Sequence, residues 1–165
     1  MPPPPEERDD IDPQGVETFV ARWEAASGSE RANYQLFLIE LTELLGLERP
    51  GTAVAEAGGN AYCFERRVDF RHGDGSASVG FIDCYRRGSF VGETKRLQPR
   101  PGSGRFDEGM LAARGQAEAY ARALPAGEGR PPFLLVADVG RAIELYAEFS
   151  RSGGTYTPFP DPRSH

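Results

Sequence analysis

Asp83, Glu93 and Lys95 are the residues whose types and spacing can do chemistry in this chain. They stand in one stretch, Gly80-Phe-Ile-Asp-Cys-Tyr-Arg-Arg-Gly-Ser-Phe-Val-Gly-Glu-Thr-Lys-Arg-Leu97. Two runs rich in strand formers flank Arg87-Gly88, the pattern of a hairpin. A three-residue turn containing Gly88 pairs Arg86 with Phe90, and counting back sets Asp83 opposite Glu93. Successive side chains alternate faces. Glu93 and Lys95 then share a face with Val91 and Leu97, and Asp83 shares its face with Val79, Phe81 and Tyr85. Two opposed carboxylates among apolar neighbours repel each other and lose hydration. A divalent cation between them offsets both costs, and hard oxygen donors suit Mg²⁺.

Lys95 is the single lysine among nineteen Lys and Arg residues. Arginine is a fixed, permanently charged fork. Lysine is a movable point charge that gives up its proton more readily when buried or near a metal. It can orient a water, accept or release a proton, or balance charge on a phosphoryl group. A lysine two residues after a strand glutamate is what metal-dependent phosphodiester hydrolysis needs.

The elements that must hold these groups follow from periodicity. Val16, Phe19, Val20 and Trp23 recur at helical spacing and predict a helix over about 13–26. Ser27-Gly-Ser-Glu30 reads as a capping box for a second helix. Its apolar face is Tyr34, Phe37, Leu38, Leu41, Leu44 and Leu45, and it ends near Gly46 and Pro50. Strands are expected over 61–70, 78–86 and 89–97, and a helix over about 107–124. The Gly/Pro-rich loop before that helix could lie against phosphates through Arg100 or Arg105. A buried strand is expected over 133–139, and a strand or short helix over 143–149. The order α-α-β-β-β-α-β-β predicts one α/β sheet flanked by helices.

Composition narrows the function classes. A chain of 165 residues holds one compact domain. The longest apolar run, 133–137, is far short of a membrane span, and no secretory pattern opens the sequence. Cys63 and Cys84 are too few for a disulfide framework, so a reducing cytoplasmic setting is expected; Cys84 reads as a small buried side chain. His72 in a turn and His165 at the end leave no histidine chemistry, and Asp138 reads as a cap. The net charge of -6 argues against a wholesale nucleic-acid binder. Residues 1–13, read as a disordered tail, hold five of the acids against one arginine. Residues 61–105 carry nine Lys or Arg against five acids, a local field suited to a phosphate backbone. Residues 150–165 read as a linker.

Asp83 followed by Glu93-Thr-Lys95 resembles the Asp…Glu-x-Lys signature of PD-(D/E)XK nucleases, with Ile82 where proline is usual. Gln116-Ala-Glu-Ala-Tyr120 resembles the Gln-x-x-x-Tyr element of their RecB-like branch. A wider pattern joins Arg31 to Leu41, Leu45-Gly46, Pro50, Tyr62-x-Phe64-Glu65, Ile82-Asp83-x-Tyr85, Phe133 to Asp138, and Ile143 to Ala147. It is similar to the N-terminal segment of MmeI-like type IIG/IIL restriction–modification proteins, over roughly 19–159. That resemblance implies a restriction-endonuclease-like PD-(D/E)XK core, a mixed central sheet flanked by helices. It implies a Mg²⁺- or Mn²⁺-dependent endodeoxyribonuclease domain over 14–149, acting on double-stranded DNA. Asp83, Glu93 and an acid of the second helix, Glu40, are then metal ligands. Lys95 and Gln116 complete the catalytic set, and Arg86, Arg87, Arg96 and Tyr120 contact DNA. An S-adenosylmethionine-dependent methyltransferase and a target-recognition domain follow in such proteins, with 150–165 as the linker. A transient dimer serves double-strand cleavage. Two other readings stay open: a free-standing repair or junction nuclease of the same fold, favoured by a packed C-terminal tail, and a catalytically silent DNA-binding scaffold.

Overall fold

The computed structural model describes residues 11–26, 30–55, 60–152 and 154–161. Helix α1 (Pro13–Ala25) starts where proline pre-sets the first turn. The Asp12 carboxylate caps it, accepting from the amides of Gln14 and Gly15 at 3.1 Å each. Helix α2 (Glu30–Leu44) follows, and the chain leaves it through Gly46 in the left-handed region (φ 64°). The capping box and most of the N-terminal tail lie outside the described residues.

Six strands form one sheet in chain order: β1 (Tyr62–Arg71), β2 (Ala77–Arg86), β3 (Phe90–Lys95), β4 (Phe133–Asp138), β5 (Ala142–Ala147) and β6 (Thr157–Pro158). All neighbours are antiparallel except β3 and β4, which run parallel with helix α3 (Gly104–Ala123) as their crossover. The result is the expected mixed sheet with helices on both sides. The Ser103 hydroxyl caps α3, accepting from the Phe106 amide at 3.3 Å.

Two cores hold the layers together. On one face α3 buries Phe106, Met110, Ala113, Ala117 and Tyr120 against Ile82, Tyr85, Val91, Leu134 and Val136. On the other, α1 and α2 bury Trp23, Tyr34, Phe37 and Leu38 against Phe64, Cys84, Ala137 and Val139. Cys84 is thus a buried core side chain, as its pattern suggested. Asp138 ends β4 by accepting from the Leu97 amide at 2.8 Å and pairing with Arg141 at 2.6 Å.

The stretch expected as a linker from residue 150 is packed over 154–161. Thr157–Pro158 pairs with β5, and Tyr156 is fully buried with its hydroxyl donating to the Pro131 carbonyl at 2.7 Å. Tyr156 does not act alone against the Gly, Ser and Pro around it: Phe159 packs edge-on against Phe133 and Phe149, and Arg114 and Arg122 donate to the carbonyls of Tyr156 and Gly154. Residues 142–147 are strand, since antiparallel pairing with β4 satisfies their backbone. No described helix is long and apolar enough to cross a membrane.

Candidate functional site

The hairpin register is the one the spacing demands: Arg86 pairs with Phe90, Tyr85 with Val91 and Cys84 with Gly92. The ladder stops there, and Asp83 and Glu93 are the first residues beyond it. In place of the next cross-strand pair, Asp83 Oδ2 accepts from the Thr94 amide at 2.8 Å and the Thr94 hydroxyl at 2.7 Å. The expectation of two directly opposed acids is corrected accordingly. The Asp83 carboxylate fills the gap between parting strands and takes the amide that the ladder leaves over.

A second irregularity coincides with the first. The β1–β2 pairs Phe64↔Cys84 and Arg66↔Ile82 are formed, but Glu65 and Asp83 between them are left out. Glu65 has a positive φ of 55°. Both strands change faces here. Phe64 and Cys84 belong to the α1/α2 core, whereas Ile82 and Val68 belong to the α3 core. Tyr85 lies in the α3 core with Ile82, while Val79 and Phe81 are about half exposed. Regular alternation, which put Tyr85 with Val79 and Phe81, is therefore broken at Asp83.

On the other prong of the fork, Glu93 is 3% exposed. Lys95 Nζ donates to Glu93 Oε1 at 2.8 Å and to Gln116 Oε1 at 3.1 Å. Gln116 Nε2 donates to the Tyr120 hydroxyl at 2.8 Å. One continuous chain of bonds thus links the β3 acid, the lysine and the α3 pair. Gln116 and Tyr120 are four apart, so one helix face presents both.

Burial pushes the Asp83 carboxyl above its ordinary range; the two Thr94 bonds and the Lys95 charge pull it back, and Glu65 adds to the rise. The fork opens into a cleft of about 620 Å³ lined by Asp83, Glu65, Tyr34, Gln35, Val79, Gly80, Phe81 and Tyr120. A Cβ on Gly80 would stand 2.6 Å from Tyr120 Cε1, so glycine is what lets Tyr120 close that wall.

Other expected site residues are placed elsewhere. Glu40 accepts from Trp23 Nε1 at 2.8 Å and pairs with Arg22 at 2.8 Å, which ties α2 to α1. It stands six residues beyond Tyr34, roughly 9 Å along the helix, and its oxygens are engaged away from the fork. Arg96 donates to the carbonyls of Val139 at 3.0 Å and Ala26 at 2.7 Å, which makes it a clamp between the end of β4 and the end of α1. Arg86 stacks on Tyr62 at 4.8 Å and pairs with Glu48 at 3.3 Å; Arg87 lies 3.6 Å from Glu128. Both sit at the hairpin turn, about 17 Å along β3 from Lys95 at strand rise. Tyr120 is only 7% exposed, a wall of the cleft more than a contact surface.

Among the described residues no group of three or more His, Cys, Asp or Glu side chains is gathered as a metal site. Sequence reasoning missed Glu65 and Tyr34, which face Asp83 from β1 and α2. The signal for Glu65 was its place in Tyr62-x-Phe64-Glu65, but the turn over 72–76 does not fix the β1 register by itself.

A mixed sheet between helices, with an aspartate on one prong of a strand fork and Glu-x-Lys on the other, defines an α/β domain with an acid–lysine centre. The chain belongs to the family described as MmeI, N-terminal domain, which matches residues 13–161. Membership sets it among the domains of restriction–modification enzymes. The packed segment 154–161 is the feature expected of a free-standing nuclease, but it falls inside the matched span and is part of that domain, so its packing does not separate the two readings. No curated protein and no solved structure matches the chain.

Proposed function

We propose that this domain is a Mg²⁺-dependent DNA endonuclease of the PD-(D/E)XK kind, the cleavage part of a combined restriction–methyltransferase protein. The observation that carries the reading is the fork. The β2–β3 ladder ends one residue before Asp83 and Glu93, and Lys95 Nζ reaches Glu93 at 2.8 Å.

The donor set fits a hard divalent cation. Asp83 and Glu93 offer carboxylate oxygens, and Mg²⁺ is ordinarily held by one or two carboxylates with water completing its shell. Asp83 is also an acid whose charged form is disfavoured by burial and by Glu65, a cost that a cation offsets. The bound ion supplies charge to the phosphate and lowers the pKa of a water. Asp83 and Glu93 hold it. Thr94 fixes the Asp83 carboxylate by two bonds, so its orientation is set in advance. Lys95, gripped by Glu93 and Gln116, orients the attacking water and balances the charge that develops on the phosphoryl oxygens. Gln116 keeps the ammonium on station. Arg86 and Arg87, at the hairpin turn, touch the DNA backbone a full strand length from the chemistry. The residues of the site are committed to the cation, the water and the scissile phosphate, so sequence is read by other domains of the same protein, the S-adenosylmethionine-dependent part included.

Plasmid cleavage with Mg²⁺ or Mn²⁺ tests the reading, comparing wild type with Asp83→Ala and Lys95→Ala. Nicking by wild type and its loss in both variants is expected. Equal nicking by all three overturns the assignment.

A further inference from the structure

We propose that Tyr34 and Glu65 form a positioning pair that holds the Asp83 carboxylate in the fork. Its weight for cleavage rests on the nuclease reading above, but the placement itself does not.

Three observations converge on Glu65. It has φ 55°, the left-handed region, which an L-residue other than Asn or Asp seldom occupies. Strain of that sort persists only where the surroundings over-determine it, and it gathers at functional sites. Glu65 lies between two formed β1–β2 pairs, and the residue left out opposite it is Asp83. Here both strands change faces, from Phe64 and Cys84 on the α1/α2 side to Ile82 and Val68 on the α3 side.

Tyr34 supplies the surroundings. It is 4% exposed and its ring meets Phe64 edge-on at 6.1 Å between centroids. Its hydroxyl donates to the Glu65 carboxylate and accepts from Gln35 Nε2 at 3.0 Å. One side chain of α2 therefore grips both residues at the switch, Phe64 through its ring and Glu65 through its oxygen. With β1 turned aside at Glu65 and the β3 ladder ended at Gly92, Asp83 lies outside both ladders. Its carboxylate can then take the Thr94 amide and hydroxyl. Release of Glu65 would let β1 resume regular pairing and draw Asp83 back towards it.

Exchange of the Thr94 amide hydrogen reads that placement directly, because the amide is bonded to Asp83 Oδ2. NMR-detected exchange in the whole chain is compared for wild type, Tyr34→Phe, Glu65→Ala, Glu65→Gly and Glu65→Gln. Thr94 exchange is expected to speed at least ten-fold in the first three variants, with the Val91 and Val136 amides unchanged. Glu65→Gln, which keeps an acceptor for Tyr34, is expected to stay within about two-fold of wild type. The proposal is overturned if Tyr34→Phe leaves Thr94 protected, or if Glu65→Gly does, since the backbone turn alone would then suffice. It is also overturned if Glu65→Gln matches Glu65→Ala, or if all three amides quicken together. Plasmid cleavage by the same variants is expected to show a ten-fold lower kcat at unchanged KM, restored in Glu65→Gln. Thr94 exchange as expected, beside Asp83→Ala cleaving like wild type, removes the nuclease reading and leaves the positioning pair standing.

Discussion

Thr94 donates twice to a single oxygen of Asp83, through its amide at 2.8 Å and its hydroxyl at 2.7 Å. Both bonds favour the ionised carboxylate, yet burial outweighs them and the carboxyl titrates above its ordinary range. A raised folded-state value means that the protonated form is the one folding prefers. The stability Asp83 contributes is fully present below the unfolded value, about 3.9, and is lost as pH rises through the folded value. Asp83→Asn keeps an acceptor for Thr94 and removes the charge. In chelator, the variant is therefore expected to melt above wild type at pH 7 and level with it below about pH 3. Thermal unfolding followed across that range is the measurement, and a variant less stable at pH 7 contradicts the argument.

Lys95 is held by Glu93 at 2.8 Å and by Gln116 at 3.1 Å, with its side chain 27% exposed. Lys95→Ala is expected to lower kcat for cleavage by roughly 10²- to 10⁴-fold, the range of a positioned proton-transfer or charge-balancing group. Lys95→Arg restores charge but not a movable, compact ammonium, so it is expected to stay within ten-fold of the alanine variant. Full activity in Lys95→Arg would show that only charge is required at this position.

Gly80 bears on the same cleft by close packing. An added Cβ meets Tyr120 Cε1 at 2.6 Å and Phe70 Cε2 at 2.9 Å, and the two rings pack at 5.7 Å between centroids. Neither ring can yield without shifting the other. Gly80→Ala is expected to cost about 1–3 kcal/mol, the usual range for overpacking, and to loosen the Gln116–Tyr120 bond. Urea unfolding gives the first figure. An unchanged midpoint would mean that the arm carrying β1 and β2 moves more easily than its contacts suggest.

The central hairpin was legible because local rules fix it. Gly88 sets the turn, the turn sets the register, and the register carries Asp83 and Glu93 to the first positions beyond Cys84↔Gly92. Helix α3 was legible too, through its apolar stripe and the spacing of Gln116 and Tyr120. The fork was not, since a ladder ending at Cys84↔Gly92 depends on β4 and α3 holding β3 while β1 draws β2 away. Glu40 and Arg96 have intramolecular partners that were not legible, for a shared reason. A charged side chain at a helix edge or strand end looks the same in sequence whether a metal, DNA or a neighbouring carbonyl receives it. Tyr156 was hidden by its neighbours' composition, although its own burial is complete.

Arg96 separates a structural role from a DNA contact. Its guanidinium joins the end of α1 to the end of β4 through the carbonyls of Ala26 and Val139. Arg96→Ala leaves both acceptors without that donor and is expected to cost about 1–3 kcal/mol. Urea denaturation measures the loss. A DNA contact predicts the reverse pattern: unaltered stability, with weaker and less salt-dependent DNA binding.

The segment after Ser150 decides where the packed domain ends. Tyr156 is fully buried and its hydroxyl reaches Pro131 at 2.7 Å. Arg122 of α3 donates to the Gly154 carbonyl at 2.9 Å, and Arg114 donates to that of Tyr156. The segment is thus pinned to α3 on one side and to β5 on the other. Tyr156→Ala is expected to cost about 3–5 kcal/mol, as for other large aromatic truncations in a core. Tyr156→Phe removes only the bond to Pro131 and is expected to cost about 1 kcal/mol. A chain stopped at Ser150 should unfold at a lower temperature and over a broader range than the full chain, because the aromatic pocket beside Pro131 is left open. Identical melting of the shortened and full chains would return residues 151–161 to the status of a tether. A gap between them makes the segment part of the scaffold that holds α3, and with it Gln116 and Tyr120, against the fork.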